Sequence, residues 1–200
     1  MFLEKIILID LDDDLIKEWQ KSFSEYNEVA VVQDDYFVME ADAMVSPANS
    51  FGVMDGGLDR VIRYKLGAQV EEQVQQEIVS QYHGELPVGC AVIVETSTNK
   101  WPKLIAAPTM RVPMDISDTI NPYLAFRAIL NEVKNYNKLN VKNAIKSLVC
   151  PGLGTGIGNV SALQCAYQMK LAYECFVKPA EIPGFNQIRS SHKSLMDCKN

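Results

Sequence analysis

Short apolar runs alternate with segments of helical periodicity along most of the chain, and this alternation restricts its fold more than any other feature. Residues 5–10 (KIILID) read as a short buried strand. Asp12, Asp13 and Asp14 then offer helix-capping carboxylates, and Ile16, Trp19, Phe23 and Tyr26 follow at helical spacing on one face. Residues 29–32 and 36–39 are β-branched or aromatic and predict strands; so does 43–46, ended by Pro47. Leu58, Ile62, Leu66, Val70, Val74 and Ile78 recur at every fourth position, which predicts one long helix closing near His83-Gly84. Strands are predicted again at 90–94, 103–107 and 145–150. Helices are predicted after Asn121-Pro122, with Asn121 as N-cap, and after Ser161.

Strands followed by helices in this order predict a three-layer α/β domain with a mixed, mainly parallel sheet. The 200 residues suit one domain, assigned here to residues 1–177. The pattern dissolves after Lys178-Pro179, so 178–200 is expected to be an irregular C-terminal extension. In such folds ligands bind beyond the carboxyl ends of strands. Two glycine-bearing loops stand at such strand-to-helix junctions.

The chain's charge narrows what those loops hold. Nineteen Lys and Arg against 25 Asp and Glu leave a net charge of −6. With no basic cluster, a grip on a nucleic-acid backbone is not expected. A single nucleotide remains open, because backbone N–H groups hold phosphate without cationic side chains. The five cysteines, Cys90, Cys150, Cys165, Cys175 and Cys198, include no CxxC pair, so they read as buried thiols in a reducing compartment. No apolar run approaches the roughly 18 residues a membrane span requires. The charged start MFLEKIILIDLDDD has no signal-peptide core, and the expectation is a cytoplasmic protein or one delivered into a host cytoplasm.

The second loop reads Gly152-Leu153-Gly154-Thr155-Gly156-Ile157-Gly158. With so little Cβ bulk its backbone can approach a ligand closely and turn successive N–H groups inward as an anion nest. It is neither a Walker loop, since no Gly-Lys-Ser/Thr follows, nor GxGxxG. The first loop, from Ser46 to Asp59, carries Asn49, Ser50, Asp55 and Asp59, polar groups able to orient sugar hydroxyls. Taken singly, Asn49 suits an Asx turn and Asp59 suits a helix dipole. Asp10-Leu11-Asp12 has the spacing of a phosphatase start, but capping explains these carboxylates better. His83 and His192 fall in no triad or metal spacing. Arg111 follows a strand and is either a cleft residue or half of a solvent salt bridge.

Together the loops resemble the macro domain family. Asp42-Ala43-Met44-Val45-Ser46-Pro47-Ala48-Asn49-Ser50, followed by Gly56-Gly57-Leu58-Asp59, is similar to its first ligand loop. Gly154-Thr155-Gly156-Ile157 is similar to its second. The variant from Pro47 to Gly57 (PANSFGVMDGG) further resembles a divergent subgroup often labelled phage-tail-like.

The resemblance implies an α/β/α sandwich that binds ADP-ribose. It implies Asp35 at the adenine amino group, Asn49 at the distal ribose and 154–158 at the diphosphate. Asp59 matches the acidic residue of the hydrolytic branch and is expected to stay ionised at its helix start. The implied catalytic pair is Asn49 and Asp59. The implied ligand-binding set is Asp35, Ser50, Phe51, Gly52, Asp55, Gly56 and Gly57, with Gly152, Gly154, Thr155, Gly156, Ile157, Gly158 and Asn159. No metal or cofactor is implied; the partner is ADP-ribose or an ADP-ribosylated protein. Three departures stand out: Ser46 replaces the motif's first Asn, Met54-Asp55 interrupts the glycine run, and Gly158 stands where many active members carry an aromatic. Hydrolysis of ADP-ribosyl bonds, binding without turnover, and a structural or assembly role are the three functions compatible with this pattern.

Overall fold

A computed structural model describes residues 3–198. Six strands form one sheet: β1 (Lys5–Asp10), β2 (Val29–Gln33), β3 (Ala43–Ser46), β4 (Val92–Glu95), β5 (Lys103–Ala106) and β6 (Ser147–Cys150). Their order is β2-β1-β6-β3-β5-β4. All pairs are parallel except β4 with β5, so the sheet is mixed and mainly parallel as expected.

The strands are apolar on both faces because both faces are covered. Ile6, Leu8, Val45, Ile105, Leu148 and Cys150 turn to one side. There they meet Trp19 of α1 (Asp13–Ser22), Phe126, Ile129 and Val133 of α4 (Asn121–Leu139), and Cys165 and Met169 of α5 (Ala162–Val177). Ile7, Ile9, Met44, Leu104 and Val149 turn to the other side. They meet Ile62 and Leu66 of α2 (Gly57–Leu66) and Val70, Val74 and Ile78 of α3 (Gln69–Tyr82). Caps follow the chemistry anticipated for them. Asp12 accepts from the N–H groups of Asp14 and Leu15, and Ser161 accepts from Gln164.

Four expectations are corrected. The long helix is two helices, broken at Gly67, whose φ of +95° ends α2. The four-residue spacing from Leu66 to Val70 continues across the break and conceals it. Residues 36–39 are not a strand; Tyr36 leaves the sheet's edge and enters its interior. Asn121 begins α4 instead of capping it. Ile120 is the cap, and the Asn121 amide donates to the Thr109 carbonyl at 2.7 Å. Finally, the segment after 177 is not irregular throughout: Phe185–Asp197 forms α6, while 199–200 lie outside the described residues. Leu195 is its one buried residue, and the Gln168 side chain donates to the Leu195 carbonyl at 3.1 Å. A helix that buries so little leaves little periodicity to read.

Of the five cysteines only Cys150 and Cys165 are buried. Burial pushes the Cys165 thiol up to about 12. Among the described residues no helix is long and apolar enough to cross a membrane. Nor, among those residues, does any group of His, Cys, Asp and Glu have the arrangement of a metal site.

Candidate functional site

The site begins where the sheet splits. Strands β3 and β6 pair only through Ala43 with Leu148 and Met44 with Val149. Past that point the backbone of Val45 needs other partners. The buried Tyr36 hydroxyl supplies them: it donates to the Val45 carbonyl at 2.7 Å and accepts from the Val45 N–H at 2.9 Å. It also lies 3.2 Å from the Val149 carbonyl. Burial raises its pKa far above that of an ordinary phenol, so it stays a neutral donor. Over the split, at the carboxyl ends of β1, β3 and β6, opens a cleft of about 510 Å³.

The first loop forms one wall, and much of its polarity is spent on itself. The Asn49 amide donates to the Val53 carbonyl at 2.7 Å, and its oxygen accepts from the N–H groups of Phe51 and Val53. Asn49 lines the cleft, yet its first task is the Asx-type closure of its own loop. Met54 does not add bulk to the cleft. It is buried among the α2 and α3 side chains, while its N–H donates to Glu71 at 2.8 Å. Glu71 in turn pairs with Arg63 at 2.7 Å. Of the expected ligand residues, Ser50, Phe51 and Gly52 stand behind the residues that line the cleft. Ser50 is buried and bound through its backbone to Arg111 and Leu86. Phe51 lies under the Arg111 guanidinium. Gly52, at φ +63°, would bring a Cβ within 2.9 Å of Val74.

Asp55, Gly56, Gly57 and Asp59 do line the cleft, where α2 begins. The N-cap is Gly56, which has no side chain to satisfy the first N–H groups, so these donors remain for a ligand. Asp59 is 8% exposed, and its carboxylate accepts a hydrogen bond from the Ser46 hydroxyl. The serine that replaces the motif's first Asn thus holds the acidic residue directly. The expectation that its helix start keeps Asp59 ionised is corrected. Burial outweighs the Ser46 hydrogen bond and raises its pKa to about 6.

The second loop forms the opposite wall. The Asp10 carboxylate accepts from the Gly152 N–H at 3.2 Å and ties the loop to the end of β1. Gly154, at φ +77°, leaves only 2.7 Å between a would-be Cβ and Ile116. A Cβ on Gly158 would stand 2.5 Å from the Gly154 carbonyl, so no aromatic fits there. Thr155, Gly156 and Ile157 form the cleft's rim, and Gly156 would direct a Cβ into open space. Asn159 is not among the lining residues; its side chain donates to Asp115 at 3.0 Å. Hydrogen bonds from Ser117 and Asn159 hold the Asp115 carboxyl down at about 2.

Asp35 lines the far end of the cleft beside Tyr36 and Phe37, and one carboxylate oxygen accepts from the Phe37 N–H at 2.8 Å. Arg111 is the salt-bridge residue, paired with Glu85 at 2.7 Å and outside the cleft. The cleft's charged lining is Asp10, Asp34, Asp35, Asp55 and Asp59, with no Lys, Arg or His among the described residues. An anion there must be held by backbone N–H groups. Asp10, Tyr36, Phe37 and Pro113 also belong to the lining and were missed. Asp10 stands at the carboxyl end of a strand, the same signal that picked out both loops, but its acidic neighbours suggested only capping.

A three-layer sandwich with a cleft over its strand split, walled by two glycine loops, is an α/β domain built to hold an anionic ligand by its backbone. The macro domain family model matches residues 45–169, and the chain belongs to the macro domain family. It is 35% identical over 133 residues to an uncharacterised protein of Aquifex aeolicus, covering 66% of this chain and 73% of the relative. It is 30% identical over 129 residues to an O-acetyl-ADP-ribose deacetylase of Escherichia fergusonii, covering 64% and 68%. Its fold is similar to that of an Oceanobacillus iheyensis macrodomain mutant with ADPR, with a TM-score of 0.58 at 16% identity over 90% of this chain and 83% of that one.

Proposed function

We propose that the cleft binds ADP-ribose and that Asp59 hydrolyses an ADP-ribosyl bond there. The adenine lies at Asp35 and Phe37, the diphosphate between the α2 start and 154–158, and the distal ribose toward Asn49 and Asp59. The observation that carries this reading is Asp59, a buried carboxyl poised near neutrality on the cleft wall and held in one orientation by Ser46. A general base works best with a pKa close to the operating pH. The Escherichia fergusonii relative, named for an ADP-ribose derivative, supports the same ligand class.

In this scheme the bond from C1″ of the distal ribose to its attached group breaks with oxocarbenium character. Water forms the new C1″–O bond, its proton passes to the Asp59 carboxylate, and that proton leaves with the departing group. Loop N–H groups hold the diphosphate charge throughout. The scheme uses no metal or cofactor. That step at C1″ serves an ADP-ribosylated protein; on an O-acyl-ADP-ribose the water activated by Asp59 adds instead to the acyl carbon, the acyl C–O bond breaks, and the ribose oxygen leaves with the proton.

Binding without turnover is the second reading. What favours it is Gly158, which leaves the distal ribose without the aromatic cover expected from the second loop. Single-turnover release of ADP-ribose from a modified protein separates the two. Hydrolysis requires release by the wild type and a fall of roughly 10²–10⁴-fold in Asp59→Ala, with ADP-ribose affinity much less changed. A wild type that binds ADP-ribose and releases none is a reader.

A further inference from the structure

Between the two glycine loops the chain 110–116 runs as a strap fixed at both ends. At its start Met110 forms a bridge with Asn49, and the Ser50 N–H donates to the Arg111 carbonyl at 3.2 Å. The Arg111 side chain pairs with Glu85 through contacts of 2.7 and 3.0 Å and lies over the Phe51 ring. At its end the Ile116 N–H donates to the Gly158 carbonyl at 2.9 Å. The Ile116 side chain occupies the space that Gly154 and Gly158 leave by having no Cβ. The strap is therefore held to the first loop on one side of the cleft and to the second on the other.

Its tip is Val112, Pro113 and Met114. All three are exposed, Val112 at 43% and Met114 at 50%, and Pro113 lines the cleft. The strap's start is bridged to Asn49 through Met110, which also lines the cleft. The second loop supplies no aromatic, because Gly158 has no room for one. The Pro113 ring is rigid and loses little freedom when covered.

Resting on the reading that ADP-ribose occupies the cleft with its distal ribose toward Asn49, we propose that Pro113 at the strap's tip is the apolar binding element for that ribose and the source of preference for ADP-ribose over ADP. The strap supplies from the 110–116 segment the cover that the second loop cannot. Being anchored on both loops, it also sets how far apart they stand.

Calorimetry with ADP-ribose and with ADP, on the wild type and on Pro113→Ser and Pro113→Leu, tests this. Pro113 is exposed, and matching thermal midpoints establish that the variants fold. The wild type should bind ADP-ribose more tightly than ADP. Pro113→Ser should lower ADP-ribose affinity roughly 10-fold, one apolar contact's worth, and leave ADP affinity unchanged. Pro113→Leu, which keeps an apolar body in place, should retain most of the preference. Equal loss for both ligands, or none for either, overturns the proposal while leaving ADP-ribose binding intact. A wild type that binds ADP as tightly as ADP-ribose overturns it too. A wild type that binds neither removes the ADP-ribose reading, and the strap's role with it.

Discussion

Asp59→Asn should stabilise the protein increasingly as pH rises, because the wild-type carboxyl is ionised at a cost. Asparagine keeps the shape and an oxygen for the Ser46 hydroxyl but cannot ionise. In the folded chain the Asp59 pKa is raised from 3.8 to about 6, burial being the cause and the Ser46 hydrogen bond the smaller opposing effect. Between those two values the native protein holds a proton that the unfolded chain has released. Raising pH through that window therefore favours the unfolded state. The gap is worth about 3 kcal/mol, fully developed above about pH 6 and absent below about pH 4. The Asn amide adds its own offset if its N–H₂ lacks a partner, but that offset does not vary with pH. Urea unfolding of both proteins from pH 4 to pH 8 reads the difference directly. Stability of Asp59→Asn relative to wild type should rise by about 3 kcal/mol across the range, or roughly 6–12 °C in thermal midpoint for a chain of this size. A difference that stays flat, or one that opens in the opposite sense, refutes a buried and reluctantly ionised Asp59. The variant should also lose turnover, which would place the residue among those whose function costs stability.

Two other perturbations probe the rest of the site. Tyr36→Phe should cost about 1–3 kcal/mol of unfolding free energy, because the Val45 N–H and carbonyl lose their partner inside the core; an unchanged urea midpoint would mean that the split sheet satisfies its backbone another way. Asp35→Ala should lower ADP-ribose affinity by about 1.5–3 kcal/mol and erase discrimination against the hypoxanthine analogue. Calorimetry with the two ligands decides it, and discrimination kept at the wild-type level places the adenine elsewhere.

How much of this was legible in advance differs from element to element. Strand β1 and the helix start at Asp12 were readable because each rests on local chemistry, an apolar run and a capping carboxylate. The break at Gly67 was hidden because apolar spacing of four continues across it. Helix α6 was hidden because it buries only Leu195 among the described residues. Tyr36 looked like strand material, since an aromatic beside Phe37 and Val38 is compatible with an edge strand. Its real place follows from the unpaired backbone of Val45, which no local pattern records. The same holds for Ser50, Phe51 and Gly52, whose motif membership was plain while their orientation was not.

The sequence by itself determined the six strands, helices α1, α4 and α5, the two glycine loops at strand ends, and the aspartates that stand near them. These follow from periodicity, backbone freedom and side-chain chemistry, all of which act within a few residues. The tertiary structure alone decided which of those residues meet. It set Ser46 against Asp59, Asp10 against Gly152, and the 110–116 strap against both loops. It also decided the state of Asp59, whose pKa of about 6 comes from burial by neighbours distant in the chain. Desolvation depends on everything packed around a carboxyl, and that quantity exists only once the chain has folded.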